Sequence, residues 1–190
     1  IFLFKLLLAD NSDINIKEFS EDEETLCLMV KNLKQRYTDP KLALVIPMAS
    51  FRKTIKKAFA NIAGLNSKMV IGPAELAKGH YDIILVDESH RLRKRVNLGA
   101  YFGTFDKVCG ALGFDKNECS ELDWVLKKSK KAVFFYDKSQ SIKPSDVNEI
   151  DFDTLKRHDS TAVQCLTSQC RVKGGEAYVD FVDGLLNMTL

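Results

Sequence analysis

The chain has 190 residues, 45% of them hydrophobic and 28% charged, with a formal net charge of +2. That size suits one α/β domain with a sizeable core and the beginning of another, and so small a charge leaves any polyanionic partner to a local patch. No apolar run is long enough to span a bilayer, and the opening residues carry no secretory-signal pattern, so the expectation is a cytoplasmic protein with no membrane partner.

Ile1 to Ala9 reads as the end of a buried helix, broken by Asp10 to Asp13. Ser20 and Glu23 fit a capping box for a helix from about Glu21 to Arg36, with Leu26, Val30 and Leu33 inward, and Asp39-Pro40 ends it. Leu42 to Ile46 is a short apolar strand stopped by Pro47. Ser50 then caps a helix through Ile62, with Phe51, Ile55, Phe59 and Ile62 at helical spacing. Lys68 to Ile71 is a brief strand, and Pro73 to Ala77 a short helix with Pro near its first position. Ile83 to Val86 is a strand of four consecutive apolar residues, the pattern of a parallel strand buried on both faces.

Beyond it, Leu98, Tyr101, Phe102, Phe105, Val108 and Leu112 recur at helical spacing, interrupted by Gly99, Gly103 and Gly110. Glu121 to Lys128 is a helix whose basic end complements its dipole. Ala132 to Tyr136 is another core strand, Pro144 to Leu155 a short helix plus connector, and Ala162 to Leu166 a last strand. Gly175 to Leu186 closes the chain as an amphipathic helix, with Tyr178, Phe181, Val182 and Leu185 inward. Short apolar strands alternating with helices predict an α/β fold with a mostly parallel sheet flanked by helices. The boundary between domains is placed in 150–159, giving units 1–155 and 156–190. Five scattered cysteines without a C-x-x-C pair signal no zinc site, and reduced, mostly buried thiols are expected.

The candidate chemistry lies at strand ends. Ile83 to Val86 runs into Asp87-Glu88-Ser89-His90, two adjacent carboxylates where open α/β sheets bind their ligands. One acid holding Mg²⁺ and the next orienting a water is the pattern of nucleotide hydrolysis; a solvated turn closing a core strand is the plain alternative. After the next core strand comes Asp137-Lys138-Ser139-Gln140, where a glutamine can donate to a phosphoryl oxygen and accept from water. After the last strand comes Gln169-Cys170-Arg171, whose guanidinium suits the charge on a transferring phosphoryl group. The cluster Arg91, Arg93, Lys94 and Arg95 can bind phosphates, although a solvated loop is the more ordinary meaning of such a run.

These residues resemble a known group. Val86-Asp87-Glu88-Ser89-His90 resembles the Walker B motif of superfamily 1 and 2 helicases. Asp137 to Ile142 resembles their motif III, with Tyr136 where glycine is usual. Gln169-Cys170-Arg171 resembles motif IV, usually Asn-Tyr-Arg, and Leu44 to Phe51 sits where motif Ia contacts a nucleic-acid backbone. With the Asp-Glu-Ser-His-Arg-Leu, Phe-Tyr-Asp-Lys-Ser-Gln and Gln-Cys-Arg runs, the chain is similar to the Schlafen group 3-like DNA/RNA helicase family from Ile1 to about Leu186.

The resemblance implies a RecA-like P-loop NTPase fold and an ATP-dependent translocase or helicase acting on DNA or RNA, single-stranded at the contact. It implies that Asp87 holds Mg²⁺, Glu88 is the general base, Asp137 contacts the ATP cofactor and Gln140 senses the γ-phosphate. Arg171 is implied as an arginine finger from the start of a second RecA-like domain, and Ser50 and Phe51 as nucleic-acid contacts. His90 either links the acids to motif III or is a structural histidine. No Gly-x-x-x-x-Gly-Lys-Ser/Thr loop occurs in the sequence. The expectation is an N-terminally truncated domain whose phosphate loop lies upstream of Ile1 and which, as it stands, is inactive. The main alternative is a non-catalytic nucleic-acid-binding module on the same fold. A metal-dependent nuclease built on Asp87, Glu88 and Asp137 ranks last, because it needs more converging acids.

Overall fold

A computed structural model describes residues 4, 8, 28, 31, 32, 35–37, 39–165 and 173–189. Four strands form one parallel sheet: β1 (Leu42–Val45), β2 (Val70–Ile71), β3 (Tyr81–Val86) and β4 (Ser129–Phe134), in the order β2-β1-β3-β4. Leu42 pairs with Ile83 and Val45 with Val86, while Ile83 pairs with Lys131 and Val86 with Phe134. The helices are α1 (Ala49–Ala60), α2 (Phe102–Leu112), α3 (Glu121–Lys128), α4 (Glu149–Lys156) and α5 (Gly175–Leu186). Among the described residues no helix is long and apolar enough to cross a membrane.

The alternation of a strand explains the core. Leu42, Leu44, Ile83 and Leu85 share one face of the sheet and pack with Phe59 and Ile55 of α1 and with Phe4, a helical residue. Phe4 meets Phe59 edge to face at 5.4 Å. On the other face Ala43, Val45, Ile84 and Val86 are fully buried. Burial on both faces is why β3 reads as an unbroken apolar run. Behind the sheet α2 and α3 pack together over the 3₁₀ turn Pro73–Lys78, with Trp124 against Phe105 at 4.7 Å and Leu76 buried beneath.

Several expectations are corrected. α1 begins at Ala49 behind Met48, so Ser50 lies in the first turn and makes no cap. The segment with Gly99 splits into a 3₁₀ turn, Gly99–Tyr101, and then α2. β4 begins at Ser129 and is no core strand: Lys130, Lys131 and Val133 are exposed. It hydrogen-bonds only to β3 among the described strands, and an edge strand tolerates lysines that a central one would not. Residues 162–165 carry no strand. The helix expected over 21–36 is described at Leu28, Lys31, Asn32, Gln35 and Arg36, all helical; its predicted inner residues lie outside the described residues, as does Arg171.

The chain divides into two compact units, Ile1–Phe152 and Asp153–Leu190. In the first, Phe152 of α4 is buried and stacks on Tyr136 at 4.0 Å. In the second, α5 begins at Gly175 with φ +56°, a conformation that favours glycine, and ends with Asn187 returning a hydrogen bond to the Asp183 carbonyl. Its apolar residues Tyr178, Phe181 and Leu185 are exposed rather than inward.

Candidate functional site

The acid turn is built by the two central strands. β3 delivers Asp87 at its carboxyl end, where the Asp87 amide still donates to the Val45 carbonyl of β1 (3.1 Å). Glu88 then takes a left-handed conformation, φ +51° and ψ +47°, and heads the 3₁₀ turn Ser89–Arg91. Ser89 fastens this turn to the end of β4: its amide and its hydroxyl both donate to the Phe135 carbonyl, at 2.9 and 2.8 Å. The next turn of the neighbouring strand is thereby fixed beside the acids. There Asp137 accepts from the Ser139 amide (2.9 Å) and from the Gln140 side-chain amide (2.8 Å).

Asp87, Glu88, Asp137 and Gln140 therefore stand at adjacent carboxyl ends of a parallel sheet, the position of ligand sites in such sheets. The Gln140 hydrogen bond, then burial opposed by the Ser139 amide and the field of His90, leaves the Asp137 carboxyl below its ordinary value. His90 is 2% exposed and its Nε2 lies 3.0 Å from a Glu88 carboxylate oxygen. Among the described residues neither ring nitrogen makes a directed hydrogen bond, so the Glu88 contact is one of close approach. Asp87 accepts the Glu88 amide on one oxygen (3.1 Å), and its hard carboxylate suits Mg²⁺, which takes one or two carboxylates and completes its shell with water and phosphate. Among the described residues no three His, Cys, Asp or Glu side chains converge as a ready-made metal cage, the set a metal-dependent nuclease would need.

Around the acids most of the basic cluster is neutralised. Arg91 pairs with Asp146 at 3.4 Å, Lys94 with Asp151 at 2.5 Å and Arg95 with Asp106 at 2.7 Å. The Arg95 hydrogen bonds hold the Asp106 carboxyl down to about 2. Arg93 alone of the four forms no ion pair among the described residues; its guanidinium lies over the Tyr101 ring at 4.8 Å. It opens into a cleft of about 240 Å³ at the carboxyl ends of β1 and β2, lined also by Ala49, Arg52, Gly72, Glu75, Tyr101 and Glu121.

Sequence reasoning missed this cleft. Arg52 enters it from α1, donating to the Ile46 carbonyl at 2.6 Å, and α1 begins there with no acidic residue in its first turn and no side-chain cap. Gly72 admits that guanidinium, since a Cβ there would fall 2.5 Å from it. Glu121 is 2% exposed and receives the Arg93 amide (3.0 Å) and the Tyr101 hydroxyl (2.7 Å). Burial pushes its carboxyl up to about 7, against the opposing hydrogen bond from Tyr101 and the nearby guanidiniums. Burial likewise raises the Tyr101 hydroxyl, with Glu121 adding to it. Two arginines face two glutamates, but one glutamate is half-neutralised near pH 7 and the other is engaged by the Gly72 amide at 2.9 Å. Ser50 is exposed near this cleft on the first turn of α1; Phe51 is half-buried against the core.

A parallel sheet flanked by helices, with paired acids at the end of an inner strand, defines an α/β domain of the RecA-like class. The chain belongs to the Schlafen group 3 DNA/RNA helicase domain family, whose model matches residues 11–190. Searches of curated proteins and of solved structures returned no match.

Proposed function

We propose that this domain couples hydrolysis of Mg²⁺-ATP to movement along single-stranded DNA or RNA. The observation that carries the proposal is the Asp87-Glu88 turn, fixed by Ser89 beside the Asp137–Gln140 turn at adjacent strand ends. Asp87 would hold Mg²⁺, which when bound neutralises phosphate charge. Glu88 would take the proton of the attacking water, a role within reach only once its carboxylate leaves His90. Gln140 now donates to Asp137; to sense a γ-phosphate it exchanges that bond for one to nucleotide. Arg171 is assigned to the transferring phosphoryl charge on the strength of the motif that its Gln-Cys-Arg run resembles.

The cleft would hold the nucleic-acid backbone. Arg52 and Arg93 are free of ion pairs among the described residues, and the uncapped start of α1 adds N–H groups facing anions. Ser50 supplies a hydroxyl there, while Phe51 anchors the turn.

ATP turnover by the full-length protein, with and without single-stranded nucleic acid, is the deciding measurement. Glu88→Gln abolishes turnover and spares nucleotide binding; turnover that survives this change sinks the proposal. The second reading, a binding module without turnover, is favoured by the cleft standing on different strands from the acid turn. It is selected if nucleic acid binds, Arg93→Ala weakens that binding, and no ATP is consumed.

A further inference from the structure

Two buried cysteines lie behind the cleft, outside the residues given a role above. The Sγ atoms of Cys109 and Cys119 are 3.0 Å apart, closer than the roughly 3.5–4.0 Å at which non-bonded heavy atoms rest. Both are free thiols. The segment between them is tightly determined. Gly113, at φ +70°, caps α2, and the Phe114 amide reaches back to the Cys109 carbonyl at 2.9 Å. Asp115 then takes the Asn117 amide on its side chain and the Cys119 amide on its carbonyl (2.8 and 3.1 Å). These bonds hold the two sulfurs face to face. A disulfide bond, about 2.05 Å long, needs an approach of only about 1 Å more.

We propose that Cys109 and Cys119 are a reversible redox pair, closed to a disulfide by a peroxide. The bond ties the end of α2 to the entry of α3. It stands two residues before Glu121, and α2 follows directly on Tyr101, so it staples the wall that carries both cleft residues. The pair's chemistry is independent of the assignment of the nucleotide site.

The order of steps follows from access. Cys119 is 8% exposed and Cys109 0%, so Cys119 meets the oxidant first. Its sulfur attacks the peroxide O–O bond; a sulfenic acid forms and the departing hydroxide leaves as water with the thiol proton. The Cys109 sulfur then attacks the sulfenic sulfur, the S–O bond breaks, and the second oxygen leaves as water with the Cys109 proton. Two thiols lose two electrons in all, and the peroxide gains them. Burial, reinforced by the adjoining Cys119, pushes the Cys109 thiol up to about 12. Cys109 is therefore the poorer first nucleophile and reacts second, with the sulfenic sulfur held beside it.

Trp124, the single tryptophan, is fully buried and adjoins Cys109, whose thiol it influences. A disulfide in contact with an excited indole quenches it, so the reporter is built in. The folded full chain is treated with hydrogen peroxide, alkylated without reduction and mapped by peptide mass. The expected result is a Cys109–Cys119 peptide pair lighter by two hydrogens, with loss of Trp124 emission in parallel and recovery of both on adding dithiothreitol. Exposed Cys165 is the internal control: in Cys119→Ala it still oxidises, while the emission change is lost. Recovery of Cys109 and Cys119 as separately alkylated or over-oxidised residues overturns the proposal. So does a linkage that forms only in denaturant, or an emission change that persists in Cys119→Ala. Should that variant fail to fold, the linkage map of the unaltered chain decides alone.

Discussion

At the scale of single residues, Glu88 sets backbone strain against the catalytic role proposed for it. A non-glycine side chain at φ +51° costs about 1 kcal/mol or more relative to glycine. The structure pins it there through the Ser89 bonds to Phe135. Glu88→Gly relieves that strain and loses the His90 contact, while the freer unfolded chain takes back about 0.4–1 kcal/mol. The expected outcome in urea unfolding is stability unchanged to about 1 kcal/mol higher, and under the proposed role the full-length protein loses its ATP turnover. A loss of stability well beyond that would show the side chain to be structural. Glu121 makes the opposite case, since its cost is electrostatic. Its carboxyl is raised from 4.5 to about 7 by burial. Across that window the native state binds more protons than the unfolded state, so this group's contribution falls as pH rises and is fully lost above about pH 7. Glu121→Gln removes the dependence. Between about pH 5 and pH 8 the variant should lose less stability than the parent, by on the order of 2 kcal/mol, at about 1.4 kcal/mol per pKa unit. Parallel pH profiles of unfolding midpoints for the two proteins would refute the buried-charge account.

At the scale of elements, the boundaries most legible in the sequence are those written by local chemistry. α3 begins at Glu121 and ends at Lys128 as its pattern predicts, because Ser120 presents its amide and hydroxyl to the Asp123 carboxylate, both at 2.7 Å. Asp123→Ala should destabilise the protein by about 1 kcal/mol, measured as a lower denaturant midpoint with unchanged slope; no shift would mean the helix is held by packing alone. β3 and α5 were legible for similar reasons, one from an unbroken apolar run and the other from a glycine start and helical spacing. What local pattern cannot encode is the neighbour. The lysines Lys130 and Lys131 look like a helix terminus, yet they lie in β4, the outer one of the described strands beside β3, where both side chains reach water. Ala162-Val163-Gln164-Cys165 has strand-like composition but no ladder to join among the described strands. The acid turn was readable because its residues are contiguous. The cleft was not, since Arg52, Gly72, Arg93, Tyr101 and Glu121 come from five separate segments, and Glu121 in isolation is an ordinary first residue of a helix.

At the scale of the whole molecule, electrostatics decides how nucleic acid would be held. The net charge of +2 gives little long-range attraction, and many cations are already paired: Arg91, Lys94, Arg95, Lys116 and Lys130 each face a carboxylate. The proposed binding through the cleft would therefore rest on Arg52 and Arg93. Each phosphate neutralised on a single strand contributes about −0.7 to the slope of log K against log salt. Two guanidiniums then account for a slope of about −1.4, shallow beside that of a protein with a broad basic face. Arg52→Ala and Arg93→Ala should each flatten the slope by about 0.7 and weaken binding at low salt far more than at high salt. Gly72→Ala tests the same contact without touching a charge. Its Cβ would displace the Arg52 guanidinium, and because that is the mobile end of a long side chain the fold should lose little stability. Titrations of a labelled single strand at several salt concentrations give all three slopes. A double arginine variant that keeps the parental slope would place the strand elsewhere, on lysines such as Lys41 and Lys128 around the opposite, amino-terminal ends of the strands.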